Sequence, residues 1–439
     1  MVMVGGDLNI GLDAGVSGSY VIGGGELNTQ VLRIGGSGTG VVQQTGGVVN
    51  VASTGGFSIL VMAENPGSGG TYTLSGGRLN AETVFVGDSD AAEFHQSGGE
   101  HNVDHLALGI YKDAGQHGQG TYRLTNGVLN SAMVIVGAGG TGSFLQSGGE
   151  HYNVGGIALG EQSGAAGRYE LSGGTLNIDP SSGVLLVHSV GPGAGSGEFL
   201  YSGGSFLGKL LNHGYTEFSG AGTRVVDGEV TNAEGALMKA QDTTVAFTGT
   251  FINAGAYVSD PSVNSFADLV VTETGYLVGG PGDQFLIGGR FESSSTQNTK
   301  WFTQNSQLIF VGDTDHDFWI TGADLGASDL GYVNNFGWGD LQLHDEVLFL
   351  RDGNATPGGV LYVGTIQGLV IVDGDTIHNI HGNRLNIYYA PWANPHLDGK
   401  TYALMDGGSL APVPEPETWA MLLAGLGLVA RATHRRKRA

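Results

Sequence analysis

Apolar and polar residues alternate with a period of two over short stretches along the first half of the chain. Tyr72 and Leu74, Tyr122 and Leu124, and Tyr169 and Leu171 each flank one polar residue. That spacing places side chains on one face of a strand. A second alternating pair follows: Val84 and Val86, Leu106 and Leu108, Val134 and Val136. Helix is nearly absent from this pattern, which predicts strand after strand.

The strands come in copies. A motif, G-x-aromatic-x-x-[ST]-G-G, reads GSYVIGGG at Gly18, GVVQQTGG at Gly40, GTYTLSGG at Gly70 and AEFHQSGG at Ala92. It continues as GTYRLTNG at Gly120, GSFLQSGG at Gly142, GRYELSGG at Gly167 and GEFLYSGG at Gly197. A ninth copy is read as beginning midway, in GGDLN at Gly5–Asn9. The glycine pair is expected to supply positive φ at a corner. Asn126, which replaces one of these glycines, fits because Asn tolerates that region. The pairs are 22 residues apart from Gly24 to Gly46, Gly76 to Gly98 and Asn126 to Gly148, with steps of 25 to 30 between, giving a two-copy superperiod near fifty. Odd copies carry Ile22, Leu74, Leu124 and Leu171 two places after the aromatic position; even copies carry Gln44, Gln96, Gln146 and Tyr201.

A 22-residue unit is too short for a globular domain and suits one coil of a stack, with coils about 4.8 Å apart. The predicted class is therefore all-β, a parallel β-solenoid (β-helix). One coil cannot bury its apolar face alone, so like must lie on like. An asparagine stands four residues after the first of the paired glycines in most copies: Asn9, Asn28, Asn50, Asn80, Asn102, Asn130 and Asn177. Stacked, Asn28 to Asn177 are expected to form a structural ladder of amides. Residues 1–204 read as regular coils, 205–306 as degenerate ones, and 307–410 as a β-rich C-terminal module capping the stack.

Composition narrows the picture. Glycine accounts for 81 of 439 residues, without the strict triplet of collagen. Cysteine is absent, which excludes disulfides, thiolate metal sites and cysteine nucleophiles. Five of the 18 basic residues fall in the last nine positions, so residues 1–430 carry 13 against all 41 acids, a formal charge of −28. Such a body repels nucleic acid.

The tail, 411–439, has three parts. Pro414, Glu415 and Pro416 come first. An apolar run with Trp419, Leu422, Leu423, Leu426 and Leu428 follows, predicted as a short hydrophobic helix. A basic stop of Arg431, Arg435, Arg436, Lys437 and Arg438 ends it. This order resembles the PEP-CTERM sorting signal of Gram-negative bacteria. The resemblance implies export, an exosortase as transient partner, processing near Pro414–Pro416, and release from the inner membrane to the cell surface or extracellular matrix. Twelve helical residues rise only about 18 Å against a hydrocarbon core of about 30 Å, which suits a temporary anchor. The opening MVMVGGDLNIG lacks the basic start and apolar run of a signal peptide, so a start further upstream is expected.

Candidate chemistry is sparse. Glu100-His101 and Glu150-His151 hold one place in two even copies, with His95 and His105 near the first. A metal site or sugar-cleaving carboxylates could use them, but duplication of a surface ladder explains them better. Asp313, Asp315 and Asp317 open like a calcium loop, yet Phe318 stands where glycine is required and Asp324 where the bidentate Glu belongs. No catalytic residue, metal or cofactor is assigned. The expected function is a non-enzymatic, exported structural or adhesive component of the surface or polysaccharide matrix. A polysaccharide lyase or hydrolase and an autotransporter-like passenger are the alternatives.

Overall fold

The computed structural model describes residues 2–3, 6–53, 56–113, 116–188, 195–312 and 314–414. Regular structure among them is almost wholly strand, with two short 3-10 turns at Asp329–Tyr332 and Pro395–Leu397. The apolar run predicted as a C-terminal helix lies outside the described residues. The chain divides into two compact units, Met1–Tyr276 and Leu277–Ala439.

In the first unit, parallel pairing joins each strand to its counterpart in the next motif copy. Tyr20 pairs in register with Val42, Val42 with Tyr72, Tyr72 with Phe94, and Phe94 with Tyr122. The series runs on through Phe144 and Tyr169 to Phe199. Burial alternates strictly: in Gly69–Leu74 the even-numbered residues are inside. Identical inward positions must therefore stack. Tyr72, Phe94, Tyr122, Phe144 and Tyr169 do so nearly face to face, with centroids 4.6 to 4.9 Å apart and planes within 8°. The parallel stack ends at Tyr169, where Phe199 turns edge-on at 67°.

The paired glycines serve two different needs. At the first, Gly76, an added Cβ would stand 2.6 Å from the Thr45 carbonyl oxygen of the preceding copy. At the second, Gly77, φ is +84°. The first place does not require positive φ, so the reason expected for Asn126 is wrong. Asn126 stays out of the positive-φ region, and its Oδ1 accepts a hydrogen bond from the Gly127 amide at 2.8 Å.

A second inward column runs through Ile34, Met62, Val86, Leu108, Val136, Leu159 and Val187. It then changes chemistry and becomes Asn212, Asn232 and Asn253. Asp7–Ile10 pairs with Val31–Ile34 and so belongs to this second column. GGDLN is therefore not a ninth copy of the glycine motif, and Asn9 faces Arg33 instead of Asn28.

The second unit keeps parallel registers. Phe285 pairs with Leu308 and Leu308 with Leu341. Leu361 pairs with Ile387, and Ile387 with Leu410. Antiparallel pairs enter at Ile371–Val372 with Thr376–His381, and at Tyr402–Met405 with Ser409–Pro412. Val413 is fully buried against Val360 and Tyr362, and Pro414 beyond it is exposed.

Candidate functional site

Five of the predicted ladder asparagines meet. Asn50 donates to Asn28 at 2.7 Å, Asn80 to Asn50 at 2.7 Å, Asn102 to Asn80 at 2.9 Å, and Asn130 to Asn102 at 2.8 Å. Asn177 does not join them. Asn130 pairs with Tyr152, and Tyr152 with Asn177, so an aromatic residue interrupts the column. The amides are half-buried on the outer face of the strands that follow the glycine corner.

Beside them the alternation of burial breaks: Thr83 and Val84 are both buried, and Asp104 and His105 are both exposed. An open groove of about 630 Å³ runs past Asn50, Asn80, Asn102, Asn130 and Tyr152, with Glu82, Asp104, Ala132 and Val154 along the other wall. Glu82 and Asp104 occupy adjacent register positions, and Glu82 accepts a hydrogen bond from Ser58 at 2.8 Å. Tyr152 is exposed and its hydroxyl donates to Glu150 at 2.9 Å. Glu100, at the outer edge of the ladder, takes hydrogen bonds from Asn102 and from Arg78 at 3.0 Å. The Asn102 bond, then Arg78, hold its carboxyl below the usual range.

The histidines following the two glutamates are not on the surface. His101 and His151 are fully buried, occupying the inward position held by Leu79, Leu129 and Leu176 in neighbouring copies. The surface-ladder reading therefore fails for both, as does a solvent-facing Glu-His pair. His101 stacks on Phe94, with centroids 5.0 Å apart, and His151 on Phe144, at 5.2 Å. The Tyr122 hydroxyl donates to Gln96 at 2.6 Å and meets His101 Nδ1 at 3.0 Å. Tyr169 repeats this with Gln146 at 2.6 Å and His151 at 3.1 Å. Each glutamine also caps a backbone carbonyl of the next copy, Val128 and Thr175, at 2.9 Å. The alternation of Gln with Leu thus reflects one hydroxyl per two copies that needs an acceptor. Burial pushes both histidines down to about 3, with His101 adding to the effect on His151. It pushes Tyr72, Tyr122 and Tyr169 upward.

A second amide ladder lies outside the sequence expectations. Asn212 donates to Asn232 at 2.9 Å, Asn232 to Asn253 at 2.8 Å, and Asn253 to the Tyr276 carbonyl at 3.0 Å. All three are fully buried. The signal was present in NHG, NAEG and NAG, where a short asparagine-glycine turn recurs every 20 or 21 residues.

Asp313 lies outside the described residues. Asp315 is exposed, and Asp317 pairs with Arg351 at 2.8 Å. Among the described residues no cluster of three or more His, Asp or Glu could hold a metal ion. No helix among them is long and apolar enough to cross a membrane. Of the predicted sorting residues only Pro414 is described; Glu415, Pro416, the apolar run and the basic stop lie outside.

What precedes Pro414 is a strand anchored in the body: Val413 donates its amide to the Tyr389 carbonyl at 2.9 Å. The segment that departs from there is decisive. Residues 412–438 match the PEP-CTERM protein-sorting motif. A PEP-CTERM tail implies an exported protein processed by an exosortase, with its C-terminal segment as the membrane-anchoring sorting signal. No curated protein and no solved structure matches the chain.

Proposed function

We propose that this exported PEP-CTERM protein is a parallel β-solenoid that serves, without catalysis, as a structural or adhesive component of the cell surface or its polysaccharide matrix. The observation carrying the reading is the sorting motif at residues 412–438 attached directly to a repetitively stacked body. Support for the solenoid comes from the parallel registers, which put aromatic position on aromatic position and, from Asn28 to Asn130, asparagine on asparagine, with the glycine corners close together. Support for a scaffold comes from the use of its polar residues: Gln96, Gln146, His101 and His151 are consumed in internal hydrogen bonds. The autotransporter-like alternative has no observation of its own.

The test is sorting. Cells producing the full chain should release a body shortened at its C-terminus, and cells lacking the exosortase should retain the uncut chain in the inner-membrane fraction. Identical distribution in both strains would defeat the proposal. The rival, a polysaccharide hydrolase or lyase, draws on one observation: the Glu82 and Asp104 carboxylates side by side in the groove. Release of oligosaccharide from neutral or acidic glycans by the purified chain, abolished by Glu82→Gln, would favour it.

A further inference from the structure

We propose that the amide-lined groove holds an uncharged glycan chain, extended along the Asn50–Asn130 column with the Tyr152 ring as its stacking platform. The inference rests on the reading that the body meets polysaccharide, and adds the site and the class of polymer.

Shape favours a linear occupant. The groove follows four amides and Tyr152 across five registered copies, roughly 20 Å at strand spacing. A compact ligand would use only part of it.

Hydrogen-bond capacity favours hydroxyls. Each amide spends one N–H on the ladder. Asn50 and Asn102 spend the second on Glu26 and Glu100, both at 3.1 Å. Asn80 and Asn130 donate only once among the described residues, so each keeps a free N–H. These recur every second copy, roughly 10 Å apart, a spacing comparable to two sugar rings of an extended chain. At the end of the column the Asn130 side-chain Oδ1 accepts no bond among the described residues, beside the exposed Tyr152. Sugar hydroxyls donate and accept, and so satisfy both groups.

Other polymers fit worse. A peptide adding as a strand would need a free edge, and the strands lining the groove are paired on both sides through Asn50, Asn80, Asn102 and Asn130. A polyanion would face Glu82 and Asp104 on a body of strongly negative charge.

Affinity electrophoresis of the full chain through galactomannan, hydroxyethylcellulose or polygalacturonate tests this. Retardation by at least one neutral polymer and none by polygalacturonate is expected. Tyr152→Ala and Ala132→Trp should each weaken retardation at least fivefold, while Tyr152→Phe keeps it. Thermal unfolding checks that each variant is folded, and Ala132→Trp decides if Tyr152→Ala is not. Undiminished retardation of both folded variants would sink the groove assignment and leave the polysaccharide reading standing. No retardation of the wild type by any of the three polymers would sink both. Preference for polygalacturonate would overturn the uncharged class.

Discussion

Two buried imidazoles in otherwise equivalent settings differ at one nitrogen. His151 Nε2 has the Ser131 hydroxyl at 2.9 Å, whereas His101 Nε2 is buried with no hydrogen-bond partner. Twenty residues before His101, in the place Ser131 holds relative to His151, stands Ala81. Ala81→Ser should supply the missing donor and raise stability by about 1 kcal/mol, read as a higher urea midpoint. A lower midpoint would mean the hydroxyl does not reach the ring. The same burial makes both histidines acid-sensitive. In the folded chain they stay neutral down to about 3, while an unfolded histidine takes up a proton below about 6.5. Below that pH the unfolded state binds more protons, so stability is full above about 6.5 and is lost as the pH falls toward 3. The double variant His101→Phe/His151→Phe, which keeps the ring stacks, should flatten the fall in urea midpoint between pH 6.5 and 4. An unchanged slope would place the acid sensitivity elsewhere.

The two asparagine columns compare an exposed element with a buried one. Asn80 makes its ladder bonds on a half-wet face, so water replaces what Asn80→Ala removes, at a cost of about 1 kcal/mol. Asn232 donates to Asn253 and to the Ala256 carbonyl and accepts from Asn212, all out of solvent. Asn232→Ala strands those partners and should cost about 2–3 kcal/mol by chemical denaturation. Equal losses would show that burial does not set the strength of these ladders. Much of the strand order was legible, because glycine pairs, aromatic residues and period-two alternation are local signals that registered stacking turns into columns. The inward histidines were legible too, since His101 and His151 fall on the parity of Leu79 and Leu129; copying made them look like surface. The groove was not legible. It lies beside Asn80 and Asn102 where the alternation of burial breaks, and no single residue announces such a break. The end of the outer ladder was legible, since Tyr152 stands four residues after Gly148 in the asparagine register, and the extra residue of that copy follows Asn153.

Across the whole chain, the hydrogen bond from Tyr122 to Gln96 links an odd copy to the even copy before it, as Tyr72 does with Gln44 and Tyr169 with Gln146. Removing residues 76–125 takes out one odd and one even copy and leaves Tyr72 above Gln44 and Tyr169 above Gln146. Removing residues 76–97 takes out one copy and sets Tyr122 above Leu74. The fifty-residue deletion should unfold cooperatively close to the parent's urea midpoint, and the shorter one well below it. The reverse order would disprove the pairing of copies. From that internal hydroxyl follows a rule of parity: gaining or losing copies by twos keeps each tyrosine over an acceptor, and an odd copy out is a fault carried in the core.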